Sequence, residues 1–164
     1  MDLIIDGYNV IGSQRGLDGG LEHKRNRLVQ QLALYHEIKG FNLIVVFDGW
    51  RSGSANEVIE KRGGLSIIYS RLGEKADAVI VRTARSKGGG CVVVTSDREI
   101  RNAVERFDAV AISADEFNRI LGELDGLPMD DEVDQELDLA RRGSRNRPSK
   151  AERRRIDKLK KLRL

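Results

Sequence analysis

Leu43-Ile44-Val45-Val46-Phe47-Asp48 is an unbroken apolar run closed by an acid. Continuous rather than alternating hydrophobicity indicates a strand covered on both faces, as in a parallel sheet packed between helices. The same form recurs along the chain. Leu3 to Asp6, Leu65 to Tyr69, Cys91 to Ser96 and Ala109 to Ile112 are also short and apolar, and each is predicted as a strand. Helical spacings lie between them. Leu21 to Lys39 sets Leu21, Arg25, Leu28, Leu32, Tyr35 and Ile38 on one stripe and stops at Gly40, a residue suited to the positive φ of a helix C-terminus. Glu74 to Lys87 repeats Ala76, Val79, Ile80, Thr83 and Ala84 at helical spacing and stops at Gly88-Gly89-Gly90. Ser96 with Glu99, and Ser113 with Glu116, have capping-box spacing, so further helices are predicted to begin near Asp97 and Ala114. This order predicts an α/β fold of three layers around a central, mainly parallel, five-stranded sheet.

The chain of 164 residues is long enough for one domain and too short for two large ones. No apolar run approaches the roughly 18 to 20 residues that span a bilayer, and the first residues lack the positive flank of a secretory signal. No membrane partner and a cytoplasmic location are therefore expected. Cys91 is the single cysteine, so it cannot form an internal disulfide; it reads as a buried strand residue. The two histidines lie too far apart for a zinc pattern.

The net charge of +3 conceals two opposed halves. Residues 1 to 140 hold 17 Lys and Arg against 24 Asp and Glu, whereas residues 141 to 164 hold 12 against 2. Glu123 to Asp138 carries eight acids and no Lys or Arg. These shifts divide the chain into a folded domain over 1–125, an acidic-to-basic linker over 126–148 and a basic tail over 149–164, disordered or helical. Ile156, Leu159 and Leu162 mark a weak apolar stripe in that tail, while Arg153, Arg154 and Arg155 are candidates for contact with an RNA backbone.

Ligands of open parallel sheets bind beyond the C-terminal ends of the strands. Asp6 closes the first predicted strand, Asp48 closes the second, and Asp97 follows Thr95-Ser96 of the fourth. Asp77 falls in the first turn of the helix that begins near Glu74, itself a secondary candidate. Converging carboxylates repel until a cation compensates them. Hard oxygen donors without His or Cys select Mg²⁺ or Mn²⁺ over zinc, and the chemistry they suit is phosphodiester hydrolysis. Asn9 is placed to orient a water or a phosphate, and Thr95 and Ser96 to hydrogen-bond the acids. Tyr8 and Trp50 are candidates for stacking unpaired bases, and Arg51, Arg62, Arg71 and Arg98 for contacting the RNA backbone. Other phosphate chemistries fail on the residues. Tyr8 stands where a haloacid-dehalogenase phosphatase needs a second Asp, and neither a P-loop nor a G-x-G-x-x-G turn is present.

Four segments taken together resemble a known family. Ile4-Ile5-Asp6-Gly7-Tyr8-Asn9-Val10-Ile11-Gly12, Val45-Val46-Phe47-Asp48-Gly49, Glu74-Lys75-Ala76-Asp77 and Val94-Thr95-Ser96-Asp97-Arg98 look like the successive motifs of the YacP-like NYN domain family, within the PIN-like nuclease superfamily. The resemblance spans roughly residues 1 to 125. It implies a Mg²⁺- or Mn²⁺-dependent endoribonuclease, with Asp6, Asp77 and Asp97 as metal ligands supported by Asp48, acting on mRNA in association with the ribosome. Lys75 departs from the family pattern, which has Thr before the Ala-Asp of the third motif. The alternative to a nuclease is a non-catalytic module that binds RNA or the ribosome.

Overall fold

A computed structural model describes residues 1–14, 19–49, 54–126 and 148–164. Most of the predicted linker, together with Trp50 and Arg51, lies outside the described residues. The elements run β1 (Asp2–Asp6), α1 (Gly7–Ser13), α2 (Leu21–Lys39), β2 (Asn42–Phe47), β3 (Val58–Arg62), β4 (Leu65–Tyr69), α3 (Ala76–Lys87), β5 (Val92–Val94), α4 (Arg98–Glu105), β6 (Val110–Ile112), α5 (Ala114–Leu124) and α6 (Lys150–Leu162). The sheet has six strands in the order β3-β4-β2-β1-β5-β6, and only β3 runs antiparallel. The five predicted strands are all present, and β3 is an addition to them. Among the described residues no helix is long and apolar enough to cross a membrane.

Alternation along each strand sorts its residues between two cores. Leu3, Ile5, Leu43, Val45, Phe47, Leu65, Ile67, Val92 and Val94 face a layer formed by α1, α2 and α5. Ile4, Ile44, Val46, Ile68 and Val93 face α3 and α4. Continuing that alternation by one step turns Asp6, Asp48, Ser70 and Thr95 toward the α3 side of the C-terminal edge.

The chain moves from β1 to β2 by way of α1 and α2 on one face, returns past both to β5 through α3 on the opposite face, and continues away from β1 to β6 through α4 on that same face. β1 and β5 therefore flank the point where successive connections diverge, which is where a crevice opens in such sheets. The helix predicted to be capped by Ser96 is capped by Asp97 instead, whose Oδ1 accepts from the N–H groups of Glu99 at 2.7 Å and Ile100 at 3.2 Å. Ser96 Oγ accepts from Ala114 N–H at 3.1 Å. The second predicted capping box, Ser113 with Glu116, is present.

The basic tail is a helix seated on the domain. Leu162 is fully buried in the larger core, Tyr35 Oη donates to its carbonyl at 2.7 Å, and Lys158 Nζ donates to the Gly90 carbonyl at 2.9 Å. Gly90 and Asp108, the partner of Arg154, precede β5 and β6, so α6 closes the N-terminal edge of the sheet next to its last strand. On α2, Leu28, Leu32 and Tyr35 are buried as the stripe predicts, whereas Ile38 is 60 % exposed.

Candidate active site

Asp6 is the last residue of β1 and the N-cap of α1, and its two carboxylate oxygens are held by different parts of the fold. Oδ1 accepts from Asn9 N–H at 3.3 Å and Oδ2 from Thr95 Oγ1 at 3.0 Å. Thr95 Oγ1 in turn accepts from Asp97 N–H at 3.1 Å, and Asn9 Oδ1 accepts from Ser96 N–H at 2.8 Å. One buried hydroxyl and one amide thus stitch the end of β1 to the end of β5. The Asn9 side chain, with its oxygen used on Ser96, retains its Nδ2 as a donor.

Two glycines let the acids sit where they do. A Cβ on Gly7 would lie 2.3 Å from the Phe47 ring, and one on Gly49 would lie 1.8 Å from the Ser70 carbonyl. Any side chain at Gly7 would push α1 off Phe47, and any at Gly49 would push apart the chains leaving β2 and β4. The repeated Asp-Gly pair is therefore a requirement of close packing directly beneath each acid. Asp48 accepts from Ser70 Oγ at 3.3 Å, and the same hydroxyl lies 2.7 Å from the Glu74 carbonyl and accepts from Gly49 N–H at 3.0 Å. Ser70 ties β2 to the start of α3 and was not singled out from sequence. Its signal was available, since it continues the alternation of β4 onto the acidic side.

Burial, with a smaller push from the negative charges of Asp77 and Asp97, raises the Asp6 carboxyl to about 6 against the Thr95 and Asn9 hydrogen bonds. Asp6, Asp77 and Asp97 therefore share one electrostatic environment. Asp77 lies exposed in the first turn of α3, in a depression also lined by Arg71, Gly73, Glu74 and Lys75. Arg71 pairs with Glu74 at 3.4 Å, and Glu74 is fixed from its other side by Arg82. Among the described residues, no group of three acids, His or Cys is placed to grip one ion as the side chains stand. The donor set nevertheless fits a hard divalent cation: it is all carboxylate, it is mutually repelling, and Asp97 commits only Oδ1 to its helix cap.

The predicted arginines divide. Arg71 and Arg98 follow β4 and β5 at the acidic edge and are exposed. Arg62 does not join them, because β3 is antiparallel and ends at the opposite edge, paired with Leu65; its guanidinium reaches along the α2 face to Asn26. Arg153, Arg154 and Arg155 lie on α6, away from the acids. Arg154 pairs with Asp108, Arg155 pairs with Glu116, and Arg153 Nε donates to the Pro148 carbonyl.

The model of the YacP-like NYN domain matches residues 3–163. The chain belongs to that family. The match runs through α6, past residue 125 where the motif resemblance stops, so the tail is part of the shared unit. Uncharacterized protein YacP of Bacillus subtilis (strain 168) is 30% identical over 129 residues, covering 71% of this chain and 72% of that protein. The crystal structure of Rae1 (YacP) from Bacillus subtilis superposes with a TM-score of 0.62 at 24% identity over 85% of this chain and 81% of that one. A single-substitution variant of Rae1 gives 0.63 at 22% identity over 98% and 91%. Those two structures share the fold, and family membership carries a nuclease-like, RNA-related role.

Proposed function

We propose that the protein is a Mg²⁺- or Mn²⁺-dependent endoribonuclease, with Asp6, Asp77 and Asp97 as the ion's ligands. The observation that carries this reading is the Asp6–Thr95–Asp97 bridge across the divergence of β1 and β5, with Asp77's charge bearing on Asp6. Two carboxylates whose charges bear on a third that is largely removed from water cost stability that a bound cation would return. A divalent ion there supplies Lewis acidity at the scissile phosphate. The chain's own groups do the rest. Thr95 fixes the Asp6 carboxylate, the α4 cap fixes Asp97, Asn9 Nδ2 faces substrate as a hydrogen-bond donor, and Arg71 and Arg98 meet the flanking backbone charges. Asp48, held by Ser70, braces the same edge. By family resemblance the substrate is mRNA engaged with the ribosome, and the compartment is the cytoplasm.

RNA binding without cleavage is the second reading. It is favoured by the exposed Lys75, which begins α3 beside Asp77 and brings positive charge where the ion would sit. Incubation with single-stranded and structured RNA in Mg²⁺, Mn²⁺ or EDTA separates the two. The nuclease reading requires cleavage that EDTA abolishes and that Asp97→Asn removes. Retention of full turnover by Asp97→Asn at saturating Mn²⁺ overturns it.

A further inference from the structure

On the other side of the same sheet edge lies a cluster that the acids do not use. Phe47, which precedes Asp48, stacks on Tyr69 with ring centroids 5.8 Å apart and packs against Tyr8 at 5.1 Å. The Arg25 guanidinium lies 6.0 Å from the centroid of Tyr69. Tyr8, Tyr69 and Arg25 are all half-buried. Both tyrosine rings pack against Phe47, which is fully buried, and each keeps part of its own surface exposed. Arg62 reaches the same face from β3, where alternation sets Arg62 and Tyr69 on the α2 side of the hairpin. Burial and the Glu60 carboxylate push the Tyr69 phenol up while Arg25 and Arg62 act in the opposite sense, so the patch holds two arginines and one acid around the ring.

Such a patch matches a nucleotide in two respects. Rigid aromatic and guanidinium planes stack on bases of any identity, and paired arginines neutralise phosphate. A duplex keeps its bases inside, so only an unpaired nucleotide offers both groups at once. The chain geometry links the patch to the acids. Asp6 is followed two residues later by Tyr8, and Phe47 is followed directly by Asp48, with alternation sending each acid to the α3 side and its aromatic neighbour to the α2 side.

We propose that Arg25, Arg62, Tyr69 and Tyr8 form a subsite for an unpaired nucleotide of single-stranded RNA that crosses the sheet edge from the carboxylates to the α2 face. The inference rests on reading the chain as an RNA enzyme, and what it adds is the place on the α2 face where an unpaired nucleotide is held.

The test uses the full-length protein in EDTA, so that binding is measured without cleavage, and a short uridine-rich single-stranded RNA containing 5-iodouridine. Irradiation is expected to crosslink the RNA to peptides containing Tyr69 or Tyr8. Tyr69→Leu is expected to weaken binding at least about fivefold, the lower end of what one stacked base contributes, while Tyr69→Phe, which keeps the ring and the packing on Phe47, retains most of it. Arg25→Gln and Arg62→Gln are each expected to reduce the slope of log affinity against log salt by about 0.7. Crosslinks confined to α6, or an unchanged salt slope in both arginine variants, overturn the subsite. If the wild type crosslinks at Tyr69 but no metal supports cleavage, the subsite stands and the nuclease reading fails.

Discussion

Burial raises the carboxyl of Asp6 to about 6, whereas Glu116, also drawn out of water, is held below the ordinary glutamate range. The difference lies in their neighbours. For Glu116 the cost of burial is outweighed by the Ser113 N–H and by Arg155. Asp6 has two hydrogen bonds but faces two further carboxylates, and these leave its charge uncompensated. The two ends of the sheet repeat the contrast. At the N-terminal edge, α6 brings Leu162 into the core and basic groups onto Gly90 and Asp108. At the C-terminal edge, like charges gather at the crevice. One edge compensates its own charges, and the other leaves them facing one another.

The largest expected effect breaks the scaffold side. Removing residues 149 to 164 uncovers β6 and opens the core around Tyr35, so the truncated chain is expected to lose its cooperative unfolding transition in urea. The single change Leu162→Ala should cost about 2–5 kcal/mol, the usual range for a buried leucine. A truncated protein with an unaltered transition would show that α6 is only an appendage.

On the site side, Asp97→Asn should lower turnover by more than about 100-fold, as expected when a metal site loses a charged ligand. Because asparagine also caps helices well, its thermal unfolding without metal should change little, and Asp97→Ala should cost about 1 kcal/mol more. This pair of variants separates the carboxylate's charge from its service as a cap.

Asp6→Asn tests the cost of holding a buried charge beside Asp77 and Asp97. The folded-state value of about 6 lies above the ordinary 3.8, so the stability that Asp6 contributes is present in acid and lost as pH rises through about 6. Relative to wild type, the variant should therefore gain about 1–3 kcal/mol above pH 6, with the gain vanishing below about pH 4. Urea denaturation across that range, without divalent ions, checks the sign. Glu116 has the opposite linkage, and its contribution is lost as pH falls.

Thr95→Val removes the hydroxyl between Asp6 and Asp97 while keeping side-chain volume. It should cost about 1–2 kcal/mol, because Asp97 N–H loses its acceptor, and it should push the acid limb of the pH–rate profile upward, because Asp6 loses a stabilising donor. The smallest effect is expected for Arg154→Ala. Its partner Asp108 is 73% exposed, so the change should fall within about 0.5 kcal/mol by thermal unfolding.

The buried strands could be read from sequence because runs such as Leu43 to Phe47 must be covered on both faces, whatever covers them. β3 could not. Glu60, Lys61 and Arg62 lie at the sheet's edge and are exposed, so Val58 to Arg62 has no apolar signature, and only Gly63-Gly64, both at positive φ, marked the hairpin. The helix α1 was missed because its seven residues begin at a glycine, where intrinsic propensity argues against a helix; contact with Phe47 overrides it. Asp97 could be placed at the end of its strand from sequence, but the local pattern favoured Ser96 as the cap. The two residues differ in which way the chain leaves β5, a matter of tertiary geometry.

The sequence by itself determined that acids would close adjacent buried strands, because an unbroken apolar run followed by Asp carries its own instruction for where it leaves the core. It also contained the parity that sends Asp6, Asp48 and Thr95 to one face, since a strand's side chains alternate regardless of context. Only the tertiary structure decided that Thr95 bridges Asp6 to Asp97, that Asp77 bears on Asp6 from α3, and that Arg62 points away from both. Each of these depends on strand order and direction, which bring together residues dozens of positions apart. The tail shows the same division: its charge was plain in the sequence, but Leu162 became a core residue only because Tyr35 and the edge of β6 stood ready to receive it.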